Sequence, residues 1–438
     1  MIDERELSGR LWALRGMERV LPALGGGPRC YLVGGAVRDL LLGREPVDID
    51  IAVEGDVDAV AARLAEALAG EVKAHERFGT ATVVAGGVDV VNLARTRRER
   101  YPAPGALPEV EPADLAEDLT RRDFTVNALA LDLGALAAAA GGGTGRSGTE
   151  AGIVLVDPHR GRGDLDRGLI RVLHPASFSD DPTRLLRAAR YAARLGFTLE
   201  ADTERWARAA VAGDALKTVS GPRIRDELID LLAEDEAPRA VELLRDLGID
   251  HALHPDLRAD PERVASAKLG AAETGAGPAL AALAALATDR LGGLASSGTP
   301  APDGDRDGLA ASIDRLGLPS GDRDAVLRAA ARAPELVEAL RRELRPSQLR
   351  ALLDGEPREA LALALALGAP AEQILDFVSR LSTVRLEITG TDLLAAGLPE
   401  SPVLGQALAA TLARKLDGEV DGRDDELRVA LEIAREST

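Results

Sequence analysis

The sequence of 438 residues has a single cysteine, Cys30, and aromatic residues make up only 2% of it. One cysteine excludes an internal disulfide and a zinc site built from cysteines, and it suits a reducing compartment. The longest apolar runs, near 279–287 and 359–367, fall short of the roughly 18 residues that span a bilayer. The N-terminal segment MIDERELSGRLWALRG carries acids where a signal peptide would be basic. We therefore expect a cytoplasmic protein without a membrane-spanning helix.

Lysine is scarce as well, since only four of the 53 basic residues are lysines, and the net charge is −19. An acidic excess argues against a nucleic-acid partner, because phosphate neutralisation provides most nonspecific affinity. The charge is uneven, however: residues 160–194 contain eight arginines and four aspartates. Arginine binds phosphates and base edges through its planar fork, so this segment is a candidate RNA contact. Genomic base composition explains the arginine bias equally well.

Hydrophobic periodicity divides the chain into two parts. Up to about residue 173 it predicts a helix at 56–70 and short strands at 30–33, 47–53, about 80–85, about 88–94 and 153–156. After about residue 175 nearly every segment has helical periodicity. Two low-complexity segments are predicted to be a loop insertion at 134–152 and a linker at 291–308.

The segment YLVGGAVRDLLLGREPVDIDIAV (31–53) combines features that are ambiguous one at a time. Asp48 and Asp50, two residues apart on a strand, would share a face about 6.5–7 Å apart and could hold Mg²⁺. Gly34 and Gly35 would let a triphosphate approach backbone N–H groups, and Arg38 follows on the next helix. A lone D-x-D is more often a solvated sheet edge, and a glycine pair is usually a plain turn. Together they indicate nucleotidyl transfer assisted by metal ions.

Three later segments, RRDFTVNALAL (121–131), LVDPHRGRGDLDRGLIRVL (155–173) and DDPTRLLRAARYAARLGF (180–197), follow in a fixed order. With the glycine and D-I-D elements they resemble the class II tRNA nucleotidyltransferases and the related bacterial poly(A) polymerases. The resemblance covers roughly residues 29–225. Residues 388–418 are also similar to that family, although Glu400 and Ser401 stand where Pro-Gly is more usual.

The resemblance implies an α+β fold: a nucleotidyltransferase head with a mixed β-sheet of the DNA polymerase beta superfamily type, followed by an all-helical neck, body and tail. The expected divisions are a catalytic head at 1–173, a neck with base-selecting residues at 174–225, a body at 226–345 and a tRNA-binding tail at 346–438. Such a helical tail would recognise tRNA by shape.

The resemblance also assigns the residues of the first segment. It implies that Gly35 and Arg38 contact the triphosphate in the turn begun by Gly34, and that Asp48 and Asp50 are catalytic and hold Mg²⁺.

The later segments supply the rest of the implied nucleotide site. Arg122 would also touch the nucleotide, while Asp181 and Arg184 would select the incoming base of CTP or ATP without a nucleic-acid template. Cytosine and adenine both present an exocyclic amine beside a ring nitrogen, so a carboxylate can accept from the amine while a guanidinium donates to the ring. Arg187 and Arg190 follow along one side of the same predicted helix. In isolation they would more often be a solvated salt-bridge face, but with the upstream motifs we assign Arg187 and Arg190 to the nucleotide-binding residues.

The sequence lacks one acidic residue that the family it resembles often has. Asn92 stands where the family often has a third carboxylate, with Asp89 three residues earlier, so metal binding is assigned to Asp48 and Asp50 alone. Asp89 would need a β-bulge to replace the missing acid.

The sequence leaves several alternatives open. The expected partners are the tRNA 3′ end, ATP and CTP, with no membrane partner. The product could be CCA, CC, A alone or a poly(A) tail, and the oligomeric state is open. A small-molecule nucleotidyltransferase would not need the long helical half, and an inactive RNA-binding protein would be expected to lose Asp48 or Asp50. The helical half shows no His-Asp phosphohydrolase pattern.

Overall fold

The structure, a computed structural model, describes residues 2–75, 79–86, 90–141, 153–254, 257–291, 310–311 and 313–436. The chain forms two compact units, Met1–Val219 and Ser220–Thr438. The four-part division expected from the sequence stays a prediction. Asp89, residues 142–152 of the expected loop insertion and residues 292–308 of the expected linker lie outside the described residues.

A mixed β-sheet lies in the first unit. The strands of this unit are β1 Arg29–Val33, β2 Ile49–Glu54, β3 Glu71–His75, β4 Thr80–Val84, β5 Val91–Arg95, β6 Arg97–Arg100, β7 Glu109–Pro112, β8 Ala130–Asp132, β9 Val154–Val156, β10 Leu169–Ile170 and β11 Thr198–Leu199. Seven of them form the sheet, in the order β3-β4-β5-β2-β1-β8-β9. Strands β2 and β5 pair in parallel, and the other neighbours pair antiparallel. β6 and β7 form a separate hairpin, and β10 pairs with β11.

Three details of the sheet differ from the expected strands. β2 begins at Ile49 rather than at residue 47, so Asp48 precedes the strand and is exposed. β8 was not among the expected strands. β3 was not expected either, because its segment EVKAH has only valine and alanine between polar residues and is exposed over residues 71–74. Among the described residues it lies at the edge of the sheet and pairs only with β4, where a solvated, charged strand is well tolerated.

The helices of the first unit cover the sheet and continue beyond it. They are α1 Glu4–Ala13, α2 Met17–Leu24, α3 Gly35–Leu41, α4 Val57–Leu68, α5 Leu115–Thr120, α6 Gly134–Gly141, α7 Gly161–Arg167, α8 Ser177–Asp180, α9 Arg184–Leu195 and α10 Ala201–Ala212. Local sequence explains where they begin: Asp56 caps α4 by accepting the Ala59 N–H at 3.1 Å. The expected loop at 134–152 was wrong for its first part, because the alanines of α6 favour a helix over the glycines around them.

The second unit is built from helices. They are α11 Gly221–Ala233, α12 Ala237–Asp246, α13 Ile249–Leu253, α14 Pro261–Thr274, α15 Pro278–Leu291, α16 Ser320–Ala339, α17 Pro346–Leu353, α18 Arg358–Ala366, α19 Ala371–Ser379, α20 Gly390–Ala395, α21 Pro402–Leu416 and α22 Arg423–Glu436. Small residues let the central helices approach closely: a Cβ on Gly270 of α14 would lie 2.5 Å from the Ala362 carbonyl oxygen of α18.

A mixed sheet in the first unit followed by helices in the second confirms the expected α+β architecture. In the part of the chain that the structure describes, every helix is too short or too polar to cross a bilayer.

Candidate active site

A cleft of about 320 Å³ in the first unit gathers residues from segments far apart in the sequence. Seven of the residues singled out from the sequence line it: Gly34, Gly35, Asp50, Arg122, Asp181, Arg184 and Arg187. Sequence reasoning missed six others: Glu99, Tyr101, Arg121, Asp123, Asn127 and Tyr191. The fold thus brings the glycine turn, one acid of the D-I-D segment and the pair Asp181 and Arg184, expected from the sequence to select the base, to a single cavity.

The glycine turn requires its first glycine. Gly34 has φ +71°, in the left-handed region that favours glycine, and its N–H donates to the Leu129 carbonyl at 3.0 Å. A Cβ at Gly34 would lie 2.8 Å from Nη1 of Arg122. The absent side chain therefore lets the Arg122 guanidinium lie directly against the turn.

Arg38 and Arg190 are placed differently from the other candidates. Arg38 is only 2% exposed; its Nε and Nη2 donate to Asp39 at 2.8 and 3.0 Å, and its Nη1 donates to Asn127 at 2.7 Å. Arg38 thus lies behind the glycine turn. Arg190 is partly buried on α9 and lies 5.5 Å from the ring of Tyr191. The structure brings neither arginine to the lining of the cleft.

Asp50 reaches the cleft from β2, while Asp48 stands exposed one residue before that strand. The amide of Asn92, on the parallel strand β5, donates to Asp50 Oδ1 at 3.2 Å, and Thr82 donates to Asn92 at 3.1 Å. Burial raises the pKa of Asp50; the Asn92 amide opposes this rise, the Asp48 charge adds to it, and Arg122 opposes it. The residue in place of the family's third acid is therefore a hydrogen-bond donor to Asp50.

Asp118 of α5 holds two arginines at the cleft. Its carboxylate lies 2.8 Å from Arg121 Nη2 and 2.9 Å from Arg122 Nη2, and it is 1% exposed. Burial would raise its pKa, but the two guanidiniums outweigh burial and hold the pKa below its usual range. Nε of Arg122 is buried without a hydrogen-bond partner in the described part of the chain.

Asp123 joins the second segment to α9. Its Oδ2 accepts from Nε and Nη2 of Arg187 at 2.9 and 2.7 Å, and its Oδ1 accepts from the Asn127 amide at 3.0 Å. Burial acts to raise the pKa of Asp123, yet Arg187 and Asn127 lower it on balance. The carboxylate is thus ionised and fixed from two sides.

Asp181 and Arg184 flank the start of α9. Oδ1 of Asp181 accepts from the backbone N–H and the hydroxyl of Thr183 at 3.1 and 2.6 Å. Arg184, which is 5% exposed, donates from Nη1 to Ser177 at 2.6 Å and from Nη2 to the Arg121 carbonyl at 2.8 Å. A guanidinium carries five N–H donors, so Arg184 is oriented by two bonds and retains donor capacity.

A second cavity of about 420 Å³ adjoins the cleft and shares Glu99, Tyr101, Arg121 and Arg184 with it. Tyr101 donates to Glu99 at 3.2 Å, and burial raises its pKa to about 12. The phenol is therefore neutral at physiological pH.

Some of the missed residues carried a signal in the sequence. Asp118 precedes Arg121 and Arg122 by three and four residues, the spacing at which helical charges pair. Asp123 and Asn127 lie in the quoted segment RRDFTVNALAL. Tyr191 likewise lies in the quoted segment DDPTRLLRAARYAARLGF. Tyr101 had no comparable signal, since a single aromatic residue is normally part of a core.

Comparison with known proteins decides the family. The Poly A polymerase head domain family matches residues 30–171, and the family described as "Probable RNA and SrmB- binding site of polymerase A" matches residues 196–260. The A-adding tRNA nucleotidyltransferase of Halalkalibacterium halodurans is 32% identical over 92% of this chain and 88% of its own length. The chain belongs to the tRNA nucleotidyltransferase family. The recognition from the sequence is therefore confirmed.

Other tRNA nucleotidyltransferases differ in product and in length. The CC-adding enzyme of Deinococcus radiodurans is 34% identical over 91% of this chain and 88% of its own length. The A-adding enzyme of Geobacter sulfurreducens is 34% identical over 92% of this chain. The chain spans only 45% of the length of that relative, and it covers 24% of the Aquifex aeolicus A-adding enzyme.

Solved structures of tRNA nucleotidyltransferases share the fold. The apo form II of a CCA-adding enzyme matches with a TM-score of 0.78 and 29% identity, covering 99% of both chains. A CCA-adding enzyme in complex with ATP matches with a TM-score of 0.74 and 28% identity over 97% of this chain and 95% of its own. The Thermotoga maritima CCA-adding enzyme complexed with tRNA matches with a TM-score of 0.71 and 27% identity over 99% of both chains.

Members of the tRNA nucleotidyltransferase family generally use a divalent metal. The residues present fit such an ion: Asp48 and Asp50 are oxygen donors, and burial together with the Asp48 charge raises the pKa of Asp50, so a bound cation would compensate both. Within the described residues no group of three or more His, Cys, Asp or Glu side chains forms a metal site. The pair alone is the candidate.

Proposed function

We propose that this chain is a template-independent RNA nucleotidyltransferase that adds C, A or both to the 3′ end of tRNA from CTP and ATP, with Mg²⁺ as the metal. The observation that carries the proposal is the single cleft that joins Asp50 and the glycine turn to Asp181 and Arg184. The names of the similar proteins, which act on tRNA, support this substrate. The cytoplasm is the compartment that we propose for it.

Nucleotide binding is assigned to the walls of this cleft. Arg122, held against Gly34, has a buried Nε without a partner in the described structure, so a phosphate oxygen is its natural acceptor. Asp181 would accept from the exocyclic amine of cytosine or adenine, while Arg184 would donate to the ring nitrogen. Uracil and guanine would set a carbonyl against the carboxylate and are disfavoured.

In the proposed reaction the 3′ hydroxyl of the RNA attacks the α-phosphorus of the nucleoside triphosphate. A new P–O bond forms, the α–β anhydride bond breaks, pyrophosphate leaves, and the hydroxyl loses its proton. Magnesium held by Asp48 and Asp50 would activate the hydroxyl and neutralise charge on the phosphates. Asn92 keeps the Asp50 carboxylate oriented toward the cleft.

Addition of A alone is a second candidate, favoured by the names of the Geobacter and Halalkalibacterium relatives. It differs from CCA addition in the RNA end that is accepted and in the use of ATP without CTP. A poly(A) polymerase would share the same chemistry but would extend a tail of adenosines.

The test uses tRNA transcripts that lack the last three, the last two or the last nucleotide of the CCA end, each with one of the four triphosphates. CCA addition predicts CTP incorporation on the first two and ATP incorporation on the third. Incorporation on the third alone would identify A addition. Asp50→Ala should abolish all incorporation while tRNA binding persists, and the exposed Asp58→Ala on α4 should behave as wild type. Mg²⁺-dependent activity in Asp50→Ala would refute the metal assignment.

A further inference from the structure

Tyr191 lines the cleft, and its ring contacts arginines of two helices. Arg38 of α3 and Arg187 of α9 have their guanidinium carbons 5.3 Å from the ring centroid, and Arg190 lies at 5.5 Å. The rings of Tyr191 and Phe124 pack in a T-shaped arrangement, with their centroids 5.8 Å apart and an interplanar angle of 75°. Three cations from two separate helices therefore share one aromatic side chain.

Such an arrangement needs compensation, because three guanidiniums near one ring repel each other. The π face of an aromatic ring attracts cations within about 6 Å, and this attraction is strongest where water is excluded. Asp39 offsets the charge of Arg38, and Asp123 offsets that of Arg187. Tyr191 provides the only aromatic ring in contact with all three cations among the described residues.

Hydrogen bonds close a circuit through the same residues. Arg38 donates to Asn127 at 2.7 Å, and Asn127 donates to Asp123 at 3.0 Å. Asp123 accepts from Arg187 at 2.7 Å, and Arg187 donates to the Tyr191 hydroxyl at 3.3 Å. The circuit runs from the helix that follows the glycine turn to the helix that begins at Arg184. The Tyr191 side chain is therefore connected to residues of both helices, α3 and α9.

We propose that Tyr191 is a positioning residue for the triphosphate: its ring fixes Arg187 directly and holds Arg38, and hence the start of α3 beside the glycine turn. The inference rests on the proposed function for the identity of its ligand. Tyr191 acts through these arginines, while base selection by Asp181 stays unchanged.

Two variants distinguish the contribution of the Tyr191 ring from that of its hydroxyl. Tyr191→Phe keeps the π face, whereas Tyr191→Leu keeps only apolar volume. Each cation–π contact contributes roughly 2- to 5-fold, so we expect Tyr191→Leu to raise the Kd for inorganic tripolyphosphate about 10-fold or more and Tyr191→Phe to change it less than about 3-fold. The KM for ATP should rise in parallel, while the KM for tRNA and the preference among the four triphosphates stay at wild-type values.

A matched control is the surface pair of Arg205 and Trp206, whose guanidinium lies 5.8 Å from the ring. Trp206→Leu loses a cation–π contact outside the cleft and should leave tripolyphosphate binding unchanged. If Tyr191→Leu does not fold, replacement of Tyr191 by phenylalanine with one, two or three ring fluorines weakens the π face with little change of shape. Affinity for tripolyphosphate should then fall stepwise with each fluorine.

Equal affinity for tripolyphosphate in Tyr191→Leu and Tyr191→Phe, or across the fluorinated series, would overturn the inference. An altered triphosphate preference with unchanged tripolyphosphate affinity would overturn it too. Binding of tripolyphosphate is measured on the whole chain without tRNA. A wild-type protein that adds no nucleotide would therefore refute the proposed function, while the binding series would still decide the role of Tyr191.

Discussion

Replacement of Asp118 should lower the stability of the first unit, because this buried acid pairs with two arginines of the cleft. Asp118→Asn keeps the shape of the side chain but removes the charge that faces Arg121 and Arg122 at 2.8 and 2.9 Å. Removing one partner of a buried ion pair costs about 3–5 kcal/mol, because the remaining charge is left uncompensated. The amide retains one acceptor oxygen, so we expect a loss near the lower end, about 3 kcal/mol in the unfolding free energy of the first unit.

The pH dependence of this loss has a definite sign. Because the pKa of Asp118 is lower in the folded protein than in the unfolded chain, its stabilisation is complete above the unfolded value of about 4 and is lost as the pH falls through the folded value. The difference between wild type and Asp118→Asn should therefore be largest near neutral pH and should shrink below about pH 4.

Denaturant unfolding at a series of pH values measures this difference. Asp58→Asn, at an exposed position of α4, is the matched control and should stay within about 0.5 kcal/mol of wild type. A difference for Asp118→Asn below about 0.5 kcal/mol at neutral pH, or one that stays constant on acidification, would refute the electrostatic explanation.

Three further predictions concern base choice and packing. Asp181→Ala should relax discrimination against UTP and GTP, whereas Arg184→Ala should mainly lower the rate, at about 1–3 kcal/mol; single-nucleotide incorporation with all four triphosphates checks both, and unchanged preference in Asp181→Ala would place base choice elsewhere. Gly270→Ala should destabilise the second unit by about 1–3 kcal/mol, because its Cβ would meet a backbone carbonyl of α18, while Gly405→Ala on α21 has open space and should be neutral or stabilising in thermal unfolding. Glu426 is fully buried, accepts two backbone N–H bonds and pairs with Lys415 at 2.5 Å, so Glu426→Leu should cost about 3–5 kcal/mol in urea unfolding, and a loss under 1 kcal/mol would contradict this.

The sequence predicted the parts of the fold that have a strong pattern. The apolar strand at 30–33 and the amphipathic helix at 56–70 appear within a few residues as Arg29–Val33 and Val57–Leu68. The edge strand β3 could not be predicted, because its residues are exposed to solvent as those of a loop would be. It is a strand only through its pairing with β4, which the local sequence does not show. Residues 134–141 were misjudged because glycine and alanine in one low-complexity segment favour opposite structures.

The candidate site residues could be identified from their residue types and their order in the sequence. Their hydrogen-bond partners could not be predicted in this way. Arg38 was expected at the triphosphate, yet burial behind the turn and bonds to Asp39 and Asn127 depend on how α3 packs against the segment at 125–127. Asn92 was identified as a missing acid. Its donation to Asp50 follows from the register of two parallel strands that are forty residues apart, which no local pattern encodes.

The order of strands in the sheet also determines when the cleft can exist during synthesis of the chain. Strand β2, which carries Asp50, has both of its partners β1 and β5 once residue 95 has emerged. Strand β1, which precedes the glycine turn, still lacks β8 at that point, and Arg187 follows on a helix that ends at Leu195. At about 5–20 residues per second, the ribosome needs roughly 5–20 s to make the hundred residues between them. Until β8 and Asn127 have been synthesised, Arg38 can bond to Asp39 but not to Asn127. The side chains of Arg38 and Asp39 must therefore stay hydrated during this time. A nascent chain halted in this interval would carry Asp50 on an unfinished sheet without the rest of the cleft, and its exposed β1 edge would be open to pairing with other chains.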